Sequence, residues 1–280
     1  MKLTPRDLIW PSGLLVLAVY LGVQAPPPLP ESPPDAPPAG QIPVETVFAV
    51  LAKENDAVRS IYTRRVVGAG LEVGLGFEET WREDDVIAGP LPALFLRASS
   101  ERLARADLGL ALFLGSSQPI AASNRFEGEQ ARRFSRIQET GEPEVFRDPA
   151  SGRATAMFPD VATVQPCVTC HNEHPDSPKT DWAVGDIMGA TTWTLVKESY
   201  SVEEVLVLVG ALRQAFAETY AEYLSEYDGP GEAGVRPVIG SAWPGDEVAI
   251  PDLETFMGAC TNKASPETLR QLVEVSRAGR

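Results

Sequence analysis

The chain has 280 residues and a formal charge of −15, with 44% hydrophobic and 22% charged residues. That balance is ordinary for a globular protein with a sizeable core, and the acidity argues against nucleic acid as a partner. Three cysteines exclude a disulfide framework, and two histidines, His171 and His174, confine imidazole chemistry to one short stretch.

Lys2 and Arg6 precede an uncharged run from Leu8 to Pro30. Its helix-compatible part, Leu8 to about Gln24, reaches about 25 Å, the short end of a bilayer span. Trp10 and Tyr20 sit near its two ends, as interfacial aromatics do. The positive charges lie on the N-terminal side, and Glu31 and Asp35 lie on the other. The expectation is an uncleaved single transmembrane helix within residues 1–25, with a cytoplasmic N-terminus and a periplasmic remainder, in the inner membrane. Residues 26–43, with PPPLPESPPDAPP, read as an extended Pro-rich linker.

Val44 to Val67 carries Val44, Val47, Phe48, Leu51, Val58 and Tyr62 at helical spacing, and Gly68, Gly70, Gly74 and Gly76 then break the pattern. Pro92 to Arg105 reads as a second helix, and Leu108 to Leu114, bounded by Gly115, as a strand. Gly128 to Glu139 is helical, with Gly141 as its stop. Val145 to Asp148 and Arg153 to Phe158 flank Pro-Ala-Ser-Gly and read as a hairpin. Thr191, Thr192 and Trp193 support a strand from Ile187 to Val196. Ser201 and Glu204 form a capping box that opens a long helix to about Tyr227, and Ser265-Pro266 reads as the start of a last helix to about Arg277. The order predicts an α+β domain over 44–200, an antiparallel sheet with flanking helices on one side. A long amphipathic helix follows over 201–228. A C-terminal extension over 229–280 is then a possible docking segment.

Within the predicted domain, Cys167-Val168-Thr169-Cys170-His171 has the C-x-x-C-H spacing that attaches haem c. Two thiols have to reach two vinyl groups on one porphyrin edge, and the next residue has to bring an imidazole to the iron. Two intervening residues allow a tight turn that meets all three demands. The expected cofactor is one covalent haem c with His171 as proximal ligand. A thioredoxin-type redox pair would want a strand-to-helix turn in a βαβ context, which the element order lacks. Zinc would need four ligands, and only His174 and distant Cys260 remain. For the sixth iron position the chain offers Tyr62, Met157, Met188, Met257, Cys260 and His174, or a water, or nothing at all. Each methionine is as suited to core packing, and Cys260 to the role of a small buried hydrophobe. Trp182 is suited to covering a haem face, and Arg64 and Arg65 to pairing with propionates.

The run from Cys167 to Gly189, CVTCHNEHPDSPKTDWAVGDIMG, resembles the haem-binding loop of the PAS-like haem c domains. Ile61 to Val67 and the Gly-Asp-Ile-Met-Gly at 185–189 match that pattern too, and the similarity covers about Val44 to Lys197. The family comprises a lone cyanobacterial haem protein and periplasmic sensor halves of cyclases and kinases. The resemblance implies a PAS-like fold, with haem held beside a central antiparallel sheet near the long N-terminal helix. The cyanobacterial member uses His and a Cys on that helix as axial ligands, whereas Val44 to Val67 holds neither Cys nor His. Sensor members continue into a transmembrane helix, whereas Ser201 to Tyr227 carries Arg213, Glu218, Glu222 and Glu226.

These observations predict a mono-haem periplasmic cytochrome that transfers electrons, anchored by its N-terminal helix, as part of a respiratory or photosynthetic membrane complex or with a separate redox partner. A haem-based redox or gas sensor signalling through a partner is the alternative, and a structural subunit of a membrane complex a third. No nucleophile motif, second haem or His-carboxylate cluster suggests an enzyme.

Overall fold

Two central strands organise the fold because their residues alternate between two apolar environments. In the computed structural model, which describes residues 40–84, 86–227, 237–245 and 247–278, four strands form an antiparallel sheet. They are β4 (Ala111–Gly115), β5 (Glu144–Arg147), β6 (Ala154–Val161) and β7 (Ile187–Leu195), in the order β4-β7-β6-β5. Ala156 pairs with Trp193, and both face the main core. Met157 pairs with Thr192 and faces a second, smaller core. The period of two along each strand is what sends neighbours to opposite faces.

The main core is largely helical. It draws on α1 (Val44–Ile61), α3 (Pro92–Arg105), α6 (Val202–Ser225) and α7 (Leu253–Ala278). The capping box at Ser201 and Glu204 is formed as read, with Glu204 N–H donating to Ser201 Oγ and Ser201 N–H to Glu204 Oε2. On the sheet's other face lies α4 (Gly128–Thr140), whose Phe134 and Ile137 pack with Met157, Phe126 and Phe146. Gly141 ends it in the left-handed region at φ 74°, the conformation that a glycine stop supplies.

Several expectations require correction. The described residues form a mixed α/β structure with small sheets rather than one antiparallel sheet with helices on one side. Three two-stranded sheets accompany the four-stranded one: β1 (Gln41–Pro43) with β8 (Ser199–Ser201), antiparallel, and two parallel pairs, β2 (Gly76–Glu78) with β3 (Ala88–Pro90) and β9 (Ile239–Gly240) with β10 (Ile250–Pro251). Helices cover both faces of the main sheet because both faces of β6 and β7 are apolar.

The preceding transmembrane helix, and with it the single-pass inner-membrane placement, is also corrected. Among the described residues no helix is long and apolar enough to cross a membrane. A span needs about 20 mainly apolar residues, whereas α6 is interrupted by Arg213 and α7 by Lys263, Glu267 and Arg270. The predicted anchor at 1–25, and the linker as far as residue 39, lie outside the described residues.

The first helix does not stop at Gly68. After Ile61 it widens into a π-helical segment, Tyr62–Gly68, and closes with α2 (Ala69–Glu72). The wider turn keeps Tyr62, Val66 and Val67 buried while Arg64 and Arg65 stay exposed. The last helix begins at Leu253, not Ser265, and runs through Pro266. Asp252 caps it, accepting from Thr255 N–H at 2.8 Å. Phe256 and Cys260 before the proline and Leu272 after it are buried in the main core. That packing offsets the hydrogen bond the proline omits, so residues 253–274 complete the core instead of extending from it.

One glycine next to the site is sterically required. A Cβ on Gly189 would sit 2.5 Å from the backbone oxygen of Gly115 on the adjacent strand. Backbone cannot yield as a side chain does, so Gly189→Ala is expected to destabilise the protein by about 1–3 kcal/mol, seen as a lowered urea midpoint. An unchanged midpoint would contradict this close strand approach.

Candidate functional site

The C-x-x-C-H residues lie in an excursion between two neighbouring strands. After β6 the chain forms α5 (Gln165–Glu173), and a loop over 174–186 returns it to β7. Two backbone hydrogen bonds pinch the neck, Ala162 N–H to Asp186 O and Gly185 N–H to Ala162 O, each 2.9 Å. The motif was expected in a tight turn, and it occupies a helix. Val164 enters in an extended conformation, Pro166 falls in the first turn where its missing N–H costs nothing, and His174 N–H closes the end on Cys170 O. Helical spacing then does what the turn was expected to do. Cys167, Cys170 and His171 stand at i, i+3 and i+4, hence on one face. Both thiols are free.

Electrostatics favour an uncharged imidazole. Burial pushes the His171 pKa below its usual value, only partly opposed by the Asp160 carboxylate. Its Nδ1 is buried without a hydrogen-bond partner. Burial raises both thiols, and for Cys170 the negative charges of Glu79 and Cys167 add to the effect. Asp160, at the end of β6, pairs with Arg59 of α1 at 2.8 Å. Burial works to lower the Arg59 pKa, and the Asp160 carboxylate outweighs it, so the guanidinium stays charged. This pair ties the first helix to the strand that feeds the motif.

The two histidines divide their roles. His174 is occupied at both nitrogens: Nδ1 accepts from Asp176 N–H at 3.1 Å, and Nε2 lies 3.3 Å from Glu79 Oε1. It therefore shapes the loop and joins it to the segment after β2. His171 keeps a nitrogen that nothing in the protein engages.

Of the other candidates, the structure gathers two beside the motif. Trp182 is 6% exposed and packs with Ala162 and Val168, and Cys167 and Met188 border that cluster. Asn172 fixes Trp182 through its backbone, accepting from Trp182 N–H at 2.8 Å and donating to Trp182 O at 3.0 Å. Met188 is held from just beyond β4 by Ser116, whose hydroxyl donates to the Met188 carbonyl.

The remaining candidates are placed elsewhere. Met157 lies fully buried in the second core. Tyr62 stacks on Phe95 at 4.2 Å and donates to Pro90 O at 2.6 Å. Cys260 is buried on α7, its thiol pushed up to about 12 by burial. Met257 packs against the main core from α7. Arg64 borders a separate pocket with Ser60, Ile61, Arg65, Ala259 and Lys263.

Sequence reasoning missed Arg59, Asp160, Glu79 and Asn172. Asn172, directly after the motif, carried a local signal as a side chain able to bind backbone. The other three act through partners distant in the chain, which no local pattern marks.

Together these residues fit a covalently held porphyrin iron. Two thiols and an imidazole share one helix face, burial favours the uncharged imidazole, and Trp182, Val168 and Met188 supply an apolar flank. Among the described residues no three His, Cys, Asp or Glu side chains are grouped to hold a bare metal ion, so the arrangement does not suit structural zinc.

A family model described as Tll0287-like matches residues 46–195, from the first turns of α1 to the end of β7. No curated protein and no solved structure matches the chain.

Proposed function

The chain belongs to the Tll0287-like family, and from that premise we propose that it is a c-type cytochrome that carries one haem and transfers electrons. The observation that carries this reading is the single helix face bearing Cys167, Cys170 and His171. In this reading the two thiols become the thioether anchors and His171 the proximal ligand. The bound group supplies one-electron chemistry at its iron, and the chain's residues hold and shield it. Burial lowers the His171 pKa and so favours the neutral form that can ligate, while Trp182, Val168 and Met188 shield that flank. The chain performs no catalytic turnover of its own.

The net charge of −15 suits a basic redox partner, whose association rate would fall as ionic strength rises.

The test uses full-length protein produced where haem is attached. The expected result is a mass increased by one haem and a reversible reduced-minus-oxidised difference spectrum. Mature protein without the added mass would end this reading.

One observation favours a second reading, a sensor. Tyr62, Met157 and Cys260 are committed to cores, which leaves Met188 as the candidate sixth ligand that borders the same cluster as Cys167. If Met188 does not ligate, the iron keeps an open position. Carbon monoxide uptake by the reduced protein would then favour sensing, and its refusal would favour electron transfer.

A further inference from the structure

Arg59 and Asp160 form an ion pair at the foot of the excursion that carries the motif. The Arg59 guanidinium comes from the last turn of α1, and its Nη2 lies 2.8 Å from Asp160 Oδ1. Its Nη1 donates to Thr191 Oγ1 of β7 at 3.5 Å. Asp160 stands near the end of β6, two residues before Ala162, whose backbone N–H and oxygen close the loop neck. The guanidinium thus grips both strands, the one the excursion leaves and the one it returns to. The two side chains are mostly withdrawn from water, 24% and 22% exposed.

An ion pair removed from bulk water is a weak source of stability, because desolvation offsets much of the attraction. Its charges keep their reach, however, since little solvent screens them. Both reach the motif: Asp160 acts on Cys167 and on His171, and Arg59 acts on Cys167. At His171 the Asp160 carboxylate is the leading charge, ahead of His174 and Glu79. Glu79 is 53% exposed, so water screens it further. Asp56, the other carboxylate facing Arg59, also lies 3.9 Å from Lys53.

We propose that Asp160 and Arg59 together set the midpoint potential of a haem held at Cys167, Cys170 and His171, Asp160 lowering it and Arg59 raising it. This rests on the haem reading above. Oxidation leaves one more positive charge at the iron, which a carboxylate near the proximal imidazole stabilises and a guanidinium disfavours. Asp160 outweighs its partner at His171, so the pair as a whole favours the oxidised state. Both residues act through the field at the proximal ligand, as positioning residues rather than ligands.

The experiment is a redox titration of haem-loaded full-length protein, comparing wild type with Asp160→Asn, Arg59→Gln and Arg59→Lys. Asp160→Asn is expected to shift the midpoint potential upward and Arg59→Gln to shift it downward. Arg59→Lys keeps the charge and should fall between Arg59→Gln and wild type. Absorption spectra should stay at the wild-type positions, since no variant replaces an anchor or the proximal ligand. The opposite signs separate this role from a structural one. Loosening the foot of the excursion would admit water and move both variants in the same direction. Should either single variant fail to fold, the double variant Asp160→Asn with Arg59→Gln takes its place. Its potential is expected above wild type, because the carboxylate outweighed its partner.

Haem-loaded variants with unchanged potentials, or with shifts of one sign, would overturn the proposal and leave the haem reading intact. A shift accompanied by a changed ligation spectrum would do the same, assigning the effect to the ligands. Wild type that carries no haem would instead remove the earlier reading.

Discussion

Replacing Cys167 and Cys170 together with alanine is expected to abolish covalent haem entirely while leaving the protein folded. No other pair of thiols exists to substitute, because Cys260 is buried in the main core. The fold should survive because α5 contributes little to it. Val168 is the one buried residue of that helix, and it packs in a small cluster with Ala162 and Trp182 that is separate from the two larger cores. Cys170 is exposed and Cys167 only borders that small cluster, so the double change is expected to cost about 1 kcal/mol or less. Mass spectrometry of the double variant should show no added haem, the difference spectrum should vanish, and circular dichroism and the urea midpoint should stay near those of wild type prepared without haem. Retention of a covalent haem would refute the assignment of these anchors. His171→Ala separates ligation from attachment: both thioethers remain, and the absorption and magnetic resonance spectra should change to those of an iron that has lost its proximal imidazole. Unchanged spectra would show that another residue binds the iron.

Glu54→Ala should be among the most destabilising single substitutions in the chain. Its carboxylate is 2% exposed, yet it serves three helices at once. Arg213 of α6 grips it with two hydrogen bonds of 2.8 and 2.7 Å, and Thr268 of α7 donates a third at 2.8 Å. Removing it leaves the part-buried guanidinium with only the Ser265 hydroxyl, at 3.3 Å, in place of a carboxylate, and strips the buried Thr268 hydroxyl of that acceptor. Breaking one side of such a pair costs about 3–5 kcal/mol. Denaturant titration of Glu54→Ala should show that loss. The double variant Glu54→Leu with Arg213→Met should recover most of it, since apolar side chains of similar size need no partner there. A loss below about 1 kcal/mol would mean that the pair is solvated and that α7 is not locked to α1 and α6 in this way.

That triad also shows where reading the sequence stopped. Local signals act over a few residues, and those were legible. Pro92 to Arg105 is a helix as read, Gly141 terminates α4, Ser201 and Glu204 cap α6, and the Pro-Ala-Ser-Gly hairpin joins β5 to β6. Ser265-Pro266 shows the limit of the same signals. A serine followed by proline is an excellent local start for a helix, but buried neighbours on both sides carried α7 through it. Gly68 failed as a stop for the corresponding reason. Val66 and Val67 are buried in the main core, and the widened π-helical turn keeps them there as the helix continues. Lys179 sits one turn of loop from Trp182 in sequence, but only the folded loop lays its ammonium over the indole.

The sequence by itself determined the chemistry. C-x-x-C-H needs only five consecutive residues, so the thiols, the imidazole and their mutual spacing are local facts that folding cannot rearrange. Tertiary structure alone decided what surrounds them: that Arg59 meets Asp160, that Glu79 occupies His174 and leaves His171 free, and that Tyr62, Met157 and Cys260 are drawn into cores. The reason is physical. Burial and ion pairing depend on which distant segments share a low-dielectric interior, and that is settled by the packing of the whole chain rather than by any short stretch of it.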